Sequence, residues 1–182
     1  MVVEFIAHNI RLDGVLLNIL YYHPQDFNNI CMIARTLDVL GLHSCYVYDP
    51  RRLIRERYGR SNTQRIIRIS AGAYSHIRFI QVTEPASFLQ SFPHRKIATV
   101  ATGDAIPLPQ MKFQADDLLV FGSEARGLPD SIRSLCDAAV TIPQQGATQS
   151  LNLAVATGII LYECLRQQTD HGSGGEKAPP QA

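Results

Sequence analysis

The feature that most constrains this chain is the alternation of short, wholly apolar runs with longer stretches of helical periodicity. Leu118-Leu119-Val120-Phe121 places four apolar residues in a row between Asp117 and Gly122. Such a run is too short for a stable helix, and as a strand it is buried on both faces, the habit of central strands in a parallel sheet. Residues 96–101 read the same way. Residues 15–21, 44–48, 77–82 and 139–142 supply further strands. Between the first two lies a helical pattern with apolar Phe27, Ile30, Cys31, Ile33, Ala34, Leu37 and Leu40, opened by Asp26 as N-cap and closed by Gly41. Short helices are expected over 85–92, with Pro85 in the first turn, and over 130–135. Residues 150–166 are apolar on most faces, which predicts a helix buried against the sheet or a partner chain. Strands alternating with helices give an α/β fold with a mainly parallel sheet flanked by helices.

The 182 residues carry 46% hydrophobic and 18% charged side chains and a net charge of +1. That composition excludes a disordered chain, and no apolar run approaches the roughly 20 residues of a membrane span. Glu4, His8, Asn9 and Arg11 interrupt any apolar leader, so no signal peptide is read. Residues 1–14 form an N-terminal leader, 15–167 one domain, and 168–182, rich in Gly, Pro and polar residues, a disordered tail. Cys31, Cys45, Cys136 and Cys164 stand singly, with no metal-ligand spacing. They are read as reduced thiols of a cytoplasmic protein, without a metal site or a disulfide framework.

Global neutrality hides one asymmetry. Seven of the 14 arginines lie between positions 51 and 68 (Arg51, Arg52, Arg55, Arg57, Arg60, Arg65 and Arg68), against the single acid Glu56, for a local charge of +6. Guanidinium forks suit bidentate phosphate contact and stacking on bases, so the segment reads as a polyanion-binding surface rather than a solvated loop.

Three stretches carry candidate chemistry: 28–36, which includes Asn29, Arg35 and Thr36; 119–129, which reads Leu-Val-Phe-Gly-Ser-Glu-Ala-Arg-Gly-Leu-Pro; and 142–156, which includes Ile142, Pro143, Ser150, Leu151 and Asn152. In the second, a strand runs directly into a Gly-containing loop, the place where open α/β sheets bind ligands. It contains neither GxGxxG nor a P-loop. In the third, Ser150 and Asn152 open the long apolar helix, and either suits an N-cap. Arg35 sits in an otherwise apolar helix, where it either snorkels to the surface or faces a site.

In this order and spacing the three stretches resemble the motifs of the SpoU/TrmH family of SPOUT RNA methyltransferases. Asn29 with Arg35-Thr36 matches the first motif, 119–124 with Gly127-Leu128 the second. Ile142-Pro143, Ser150-Leu151-Asn152 and Leu161-Tyr162-Glu163 match the third. Phe27 stands where the family often has Pro, and Arg126 where many members have a smaller or different residue.

The resemblance implies a C-terminal trefoil knot and a homodimer. It also implies transfer of a methyl group from S-adenosylmethionine to a ribose 2′-hydroxyl, on tRNA in the first place and rRNA in the second. The cofactor is expected against Thr102, Gly103, Phe121, Gly122, Ile142, Ser150 and Leu151. Arg35 is expected at the centre of catalysis, within a polar shell of Asn29, Glu124, Ser150 and Asn152, with Glu124 pairing with Arg35 or with a loop arginine. Arg35 acts either as base or, since a guanidinium gives up its proton very reluctantly, by holding the RNA phosphate and stabilising the alkoxide. Arg51, Arg52, Arg55, Arg57, Arg60 and Arg65 are expected on the RNA. The alternative is a catalytically silent SPOUT-like RNA-binding protein. A nucleotide-dependent dehydrogenase is disfavoured, because Tyr22-His23-Pro24-Gln25 stands where its Gly-rich turn belongs.

Overall fold

The computed structural model describes residues 17–56, 63–101, 103–148 and 150–172. Among these residues seven strands form one sheet: β1 (Asn18–Tyr22), β2 (Ser44–Tyr48), β3 (Arg78–Gln81), β4 (Lys96–Thr99), β5 (Ile106–Pro107), β6 (Leu118–Phe121) and β7 (Ala138–Thr141). Their order is β3-β2-β1-β6-β4-β7-β5, and every pairing is parallel. The most apolar run, β6, lies at the centre with all four residues buried.

The helices are α1 (Phe27–Val39), α2 (Leu53–Glu56), α3 (Thr63–Ser70), α4 (Pro85–Ser91), α5 (Asp130–Arg133) and α6 (Leu153–Gly172). Strand side chains alternate between two cores. Ile19, Tyr21, Val47, Leu119 and Phe121 meet α1 and α6 on one face. Leu20, Leu118 and Val120 meet Leu89 and Phe92 from the α4 region and Ile132 of α5 on the other. The result is a three-layer α/β sandwich.

Local signals set the ends of α1. The Asp26 carboxylate accepts from the Asn28 N–H at 2.8 Å. At the other end Gly41, with φ +73°, closes a Schellman motif: Leu42 N–H donates to Leu37 O and Gly41 N–H to Asp38 O.

The structure differs from the sequence reading at several element ends. Strand β7 begins one residue earlier than expected, and β4 stops at Thr99. Helix α6 begins at Leu153, not at residue 150, because Asn152 rather than Ser150 caps it: the Asn152 side-chain oxygen accepts from the Ala154 N–H at 2.8 Å. The helix also runs on through Gly172, so residues 168–172, expected in the tail, are helical. There the Gln167 amide donates to Met111 O and accepts from the Phe113 N–H, which stitches α6 to the loop before β6. The inner side of α6 is buried at Leu153, Ala154, Ile160, Leu161 and Cys164, whereas Val155, Ile159 and Tyr162 are exposed.

Among the described residues no helix is long and apolar enough to cross a membrane. The four cysteines are free thiols.

Candidate active site

Three motifs distant in sequence meet beyond the carboxyl ends of β1, β4 and β6. The centre is the Glu124 carboxylate, in the loop after β6. One oxygen accepts from the Gln25 N–H at 2.8 Å; the other accepts from the Asp26 N–H at 3.2 Å and from the Asn29 side-chain amide at 2.9 Å. The Asn29 carbonyl oxygen in turn accepts from the Asn152 amide at 2.9 Å. Asn152 spends its own oxygen on the cap of α6. One chain of hydrogen bonds therefore fixes the entry to α1, the loop after β6 and the start of α6. Asn29 is buried, so its bonds to Glu124 and Asn152 replace water that cannot reach it.

This arrangement corrects one expectation. Among the described residues Glu124 pairs with neither Arg35 nor an arginine of the loops; backbone N–H groups and Asn29 occupy it. Arg35 lies six residues after Asn29 on α1, exposed, with no hydrogen bond or ion pair among the described residues. Its neighbour Thr36 faces α6, 3.7 Å from where a Cβ on Gly158 would stand.

The loop after β6 is held tightly. Ser123 and Gly127 exchange main-chain hydrogen bonds at 3.0 and 2.9 Å, which folds residues 123–127 back on themselves. A Cβ on Gly122 would stand 2.3 Å from the Gly127 carbonyl carbon, so only glycine fits there.

Beside the network opens a cavity of about 430 Å³. Its walls come from the end of β4 (Thr99, Val100, Ala101), the loop after β6 (Phe121 to Leu128), Ile142 and Gln144 after β7, and Ser150, Leu151 and Leu153 at the start of α6. The volume lies within the range of small-molecule sites. Of the residues expected at the cofactor, Phe121, Gly122, Ile142, Ser150 and Leu151 line this cavity. Gly103 abuts Arg133, which also lines it. Thr102 lies outside the described residues. Of the polar shell, Glu124 and Ser150 line the cavity, while Asn29 and Asn152 stand behind it in the network. Sequence reasoning gave no role to Arg133 or Gln144, because neither belongs to a periodic pattern or to a matched motif position.

Arg51 and Arg52 are exposed in the turn after β2, where Arg52 takes a left-handed conformation with φ +54°. The Asp49 carboxylate before them accepts from the Ile54 N–H and so starts α2. Arg65, exposed on α3, donates to the Asn28 side-chain oxygen at 2.9 Å, next to Asn29. Arg57, Arg60 and the side chain of Arg55 lie outside the described residues.

Comparison with known proteins fits this arrangement. The model of the SpoU rRNA Methylase family matches residues 16–162. The 23S rRNA (guanosine-2′-O-)-methyltransferase RlmB of Ralstonia nicotianae is 31% identical over 160 residues, which cover 87% of this chain and 58% of that protein. The chain thus spans under two thirds of the length of curated relatives that it matches. A structure described as giving insights into the 2-OH methylation of C/U34 on tRNA superposes with a TM-score of 0.70 at 31% identity, over 85% of this chain and 97% of that one. The SpoU methyltransferase AviRb of Streptomyces viridochromogenes, in complex with the cofactor AdoMet, superposes with a TM-score of 0.68 at 28% identity, over 91% of this chain and 65% of that one. With its parallel sheet, its three motifs joined by one hydrogen-bonded network and a family match over most of its length, this chain belongs to the SpoU rRNA methylase family.

Proposed function

We propose that this protein transfers a methyl group from S-adenosylmethionine to a ribose 2′-hydroxyl of RNA, with tRNA as the first substrate to test. The observation that carries the reading is the Glu124–Asn29–Asn152 network beside the cavity at the carboxyl edge of the sheet. The cavity suits the cofactor: the apolar side chains of Phe121, Ile142 and Leu151 offer surfaces for an adenine, and the Gly122 loop offers close main-chain approach. When bound, S-adenosylmethionine supplies an electrophilic methyl group for in-line displacement by an oxygen nucleophile.

The residues of the chain orient that nucleophile. Glu124, Asn29 and Asn152 hold the start of α1 against the cavity and thereby set where Arg35 stands. Arg35 keeps its donors free of any carboxylate among the described residues, so it is available to a phosphate and to the developing alkoxide. Arg51, Arg52 and Arg65 extend this positive surface along the RNA backbone; the basic sequence around them makes Arg55, Arg57 and Arg60 further candidates for RNA contact. The choice of tRNA rests on the tRNA-related structure, nearly all of which this chain covers; the rRNA relative makes rRNA the second candidate.

The same reading includes a homodimer. Met32 on α1 and Val155, Ile159 and Tyr162 on α6 leave apolar surface open, and Arg35 lies one turn from Met32. A second copy on this face would bring its own residues beside Arg35. A trefoil knot belongs to the reading as well: β6 lies between β1 and β4, and the chain after β7 returns to pack α6 on α1. So does a cytoplasmic location, in keeping with four free thiols. Burial pushes those of Cys31 and Cys136 up to about 11 and that of Cys164 to about 12, which keeps them neutral and inert.

The test is methyl transfer from labelled S-adenosylmethionine to tRNA and, separately, to rRNA, followed by nucleoside analysis. A 2′-O-methylated nucleoside is expected, and Arg35→Ala should abolish it while leaving S-adenosylhomocysteine binding intact. A methyl group on a base, or full activity in Arg35→Ala, overturns the reading. Binding of cofactor and RNA without any transfer would instead identify a catalytically silent protein.

A further inference from the structure

Beyond the matched motifs, one charged side chain reaches into the cavity wall. Arg133, the last residue of α5, lines the cavity and donates from Nη2 to the Asp104 carbonyl oxygen at 2.9 Å. Its guanidinium lies against Gly103: a Cβ built there would stand 3.4 Å from Nη1 and 3.6 Å from Nη2. Gly103 has φ +102°, a conformation that side-chain-bearing residues avoid, so the loop is shaped to bring its main chain up to the guanidinium. The other end of the same loop is held from the opposite side. Ala101 O accepts from Thr141 Oγ1 at 3.1 Å and from Gln144 Nε2 at 3.3 Å. Ala101 on one side and Gly103 and Asp104 on the other are thus held by side chains from β7, the segment after it and α5.

We propose that Arg133 is a positioning residue for the cofactor: standing in the cavity wall, it fixes Gly103 and Asp104 beside the lining residue Ala101, and it acts on the ligand through the main chain that it holds. A guanidinium suits this task. Its planar fork can hold a carbonyl with one nitrogen while its face packs on glycine. The inference rests on the proposal that the cavity holds S-adenosylmethionine.

Calorimetric titration with S-adenosylhomocysteine tests it on wild type, Arg133→Met and Arg133→Lys, with Tm measured on each. Arg133→Met keeps much of the stem but cannot donate. It should weaken binding about tenfold, the loss expected for one charge-assisted hydrogen bond that is partly open to water, and raise KM for S-adenosylmethionine by a similar factor. KM for RNA should hold, and the loss should fall on cofactor KM rather than on kcat. Arg133→Lys, with one donor in reach, should recover part of the affinity. Unchanged affinity in a folded Arg133→Met overturns the inference. Should that variant fail to fold, Gly103→Ala is read instead, since it disturbs the same contact from the loop side, and unchanged affinity there overturns it equally. Wild-type protein that binds no S-adenosylhomocysteine would overturn the functional reading and this inference with it, a result distinct from equal binding by all variants.

Discussion

Replacing Glu124 by Gln keeps the shape of the side chain and removes its charge, which makes it a sharp probe of the network. The carboxylate accepts three hydrogen bonds, two on one oxygen and one on the other. A glutamine amide has one oxygen, so whichever way it turns, its NH2 faces a donor. The better orientation keeps the Asp26 and Asn29 bonds and sets NH2 against the Gln25 N–H. The loss is one bond made repulsive and two reduced from charge-assisted to neutral strength, partly offset by water because Glu124 is half-buried. That amounts to about 1–2 kcal/mol. For a chain of this length it lowers Tm by about 3–6 °C. Glu124→Ala removes both acceptor oxygens and all three hydrogen bonds, leaving the buried Asn29 side-chain amide without its Glu124 acceptor, for a loss of about 2–4 kcal/mol. Urea or thermal unfolding measures both. Combining Glu124→Ala with Asn29→Ala completes a cycle in which the double variant should be about 1 kcal/mol more stable than additivity predicts, because the bond between the two is lost only once. A Glu124→Gln protein with wild-type Tm, together with an additive cycle, would refute the view that this network holds the motifs together.

Further outcomes are expected. Gly122→Ala drives a Cβ to 2.3 Å from the Gly127 backbone; the loop must open, and S-adenosylhomocysteine affinity should fall at least tenfold by calorimetry. Converting Arg51, Arg52 and Arg65 together to Gln should weaken RNA binding and flatten the plot of log K against log salt by about 2 if each arginine meets one phosphate; an unchanged slope returns the cluster to a solvated surface. Hydrogen bonds from Arg166, and then Gln167, hold the Glu163 carboxyl down to about 2. Because the folded value lies below the unfolded one, this contribution is present above about pH 4.5 and is lost as pH falls toward 2. Glu163→Gln should therefore flatten the fall in urea midpoint between pH 5 and pH 2.5, and an identical acid profile would remove Glu163 from the account.

What could be read in the sequence was what local chemistry writes there. Asp26 and Gly41 mark the ends of α1 because a cap and a left-handed residue act within two or three positions. Strand β6 was legible because four consecutive apolar residues have few other places to go. Strand β5, two residues ending in proline, carries no period at all and exists only because β7 offers it an edge. Helix α3 was hidden because its Thr, Gln, Arg and Ser residues read as part of a basic segment, and its hold on the core comes largely from Ile66. The matched motifs brought forward Asn29, Glu124 and Asn152, and the structure joins those three. Among the described residues Glu124 takes no arginine partner, for a physical reason: charge suggests an arginine, whereas the donors at residues 25 and 26 are main-chain N–H groups, which every sequence possesses. Arg133 likewise escaped notice, since its partner is a carbonyl oxygen 29 positions away.

The bonds that assemble the network span 95 residues between Asn29 and Glu124 and 123 between Asn29 and Asn152. A nascent chain that has emerged only as far as Phe121 already contains β1, α1 and β6, yet it lacks every partner that Asn29 will use. The contacts that join the start of α1 to the cavity loops therefore form only once α6 is in place, and contacts of such long range make folding slow. Until α6 docks, the apolar residues of α1 that it will cover are open to solvent and to other chains. Retention of S-adenosylhomocysteine would then report more than an intact pocket: it would certify that a molecule has completed its longest-range closure, and it would separate finished protein from compact molecules that stopped one step earlier.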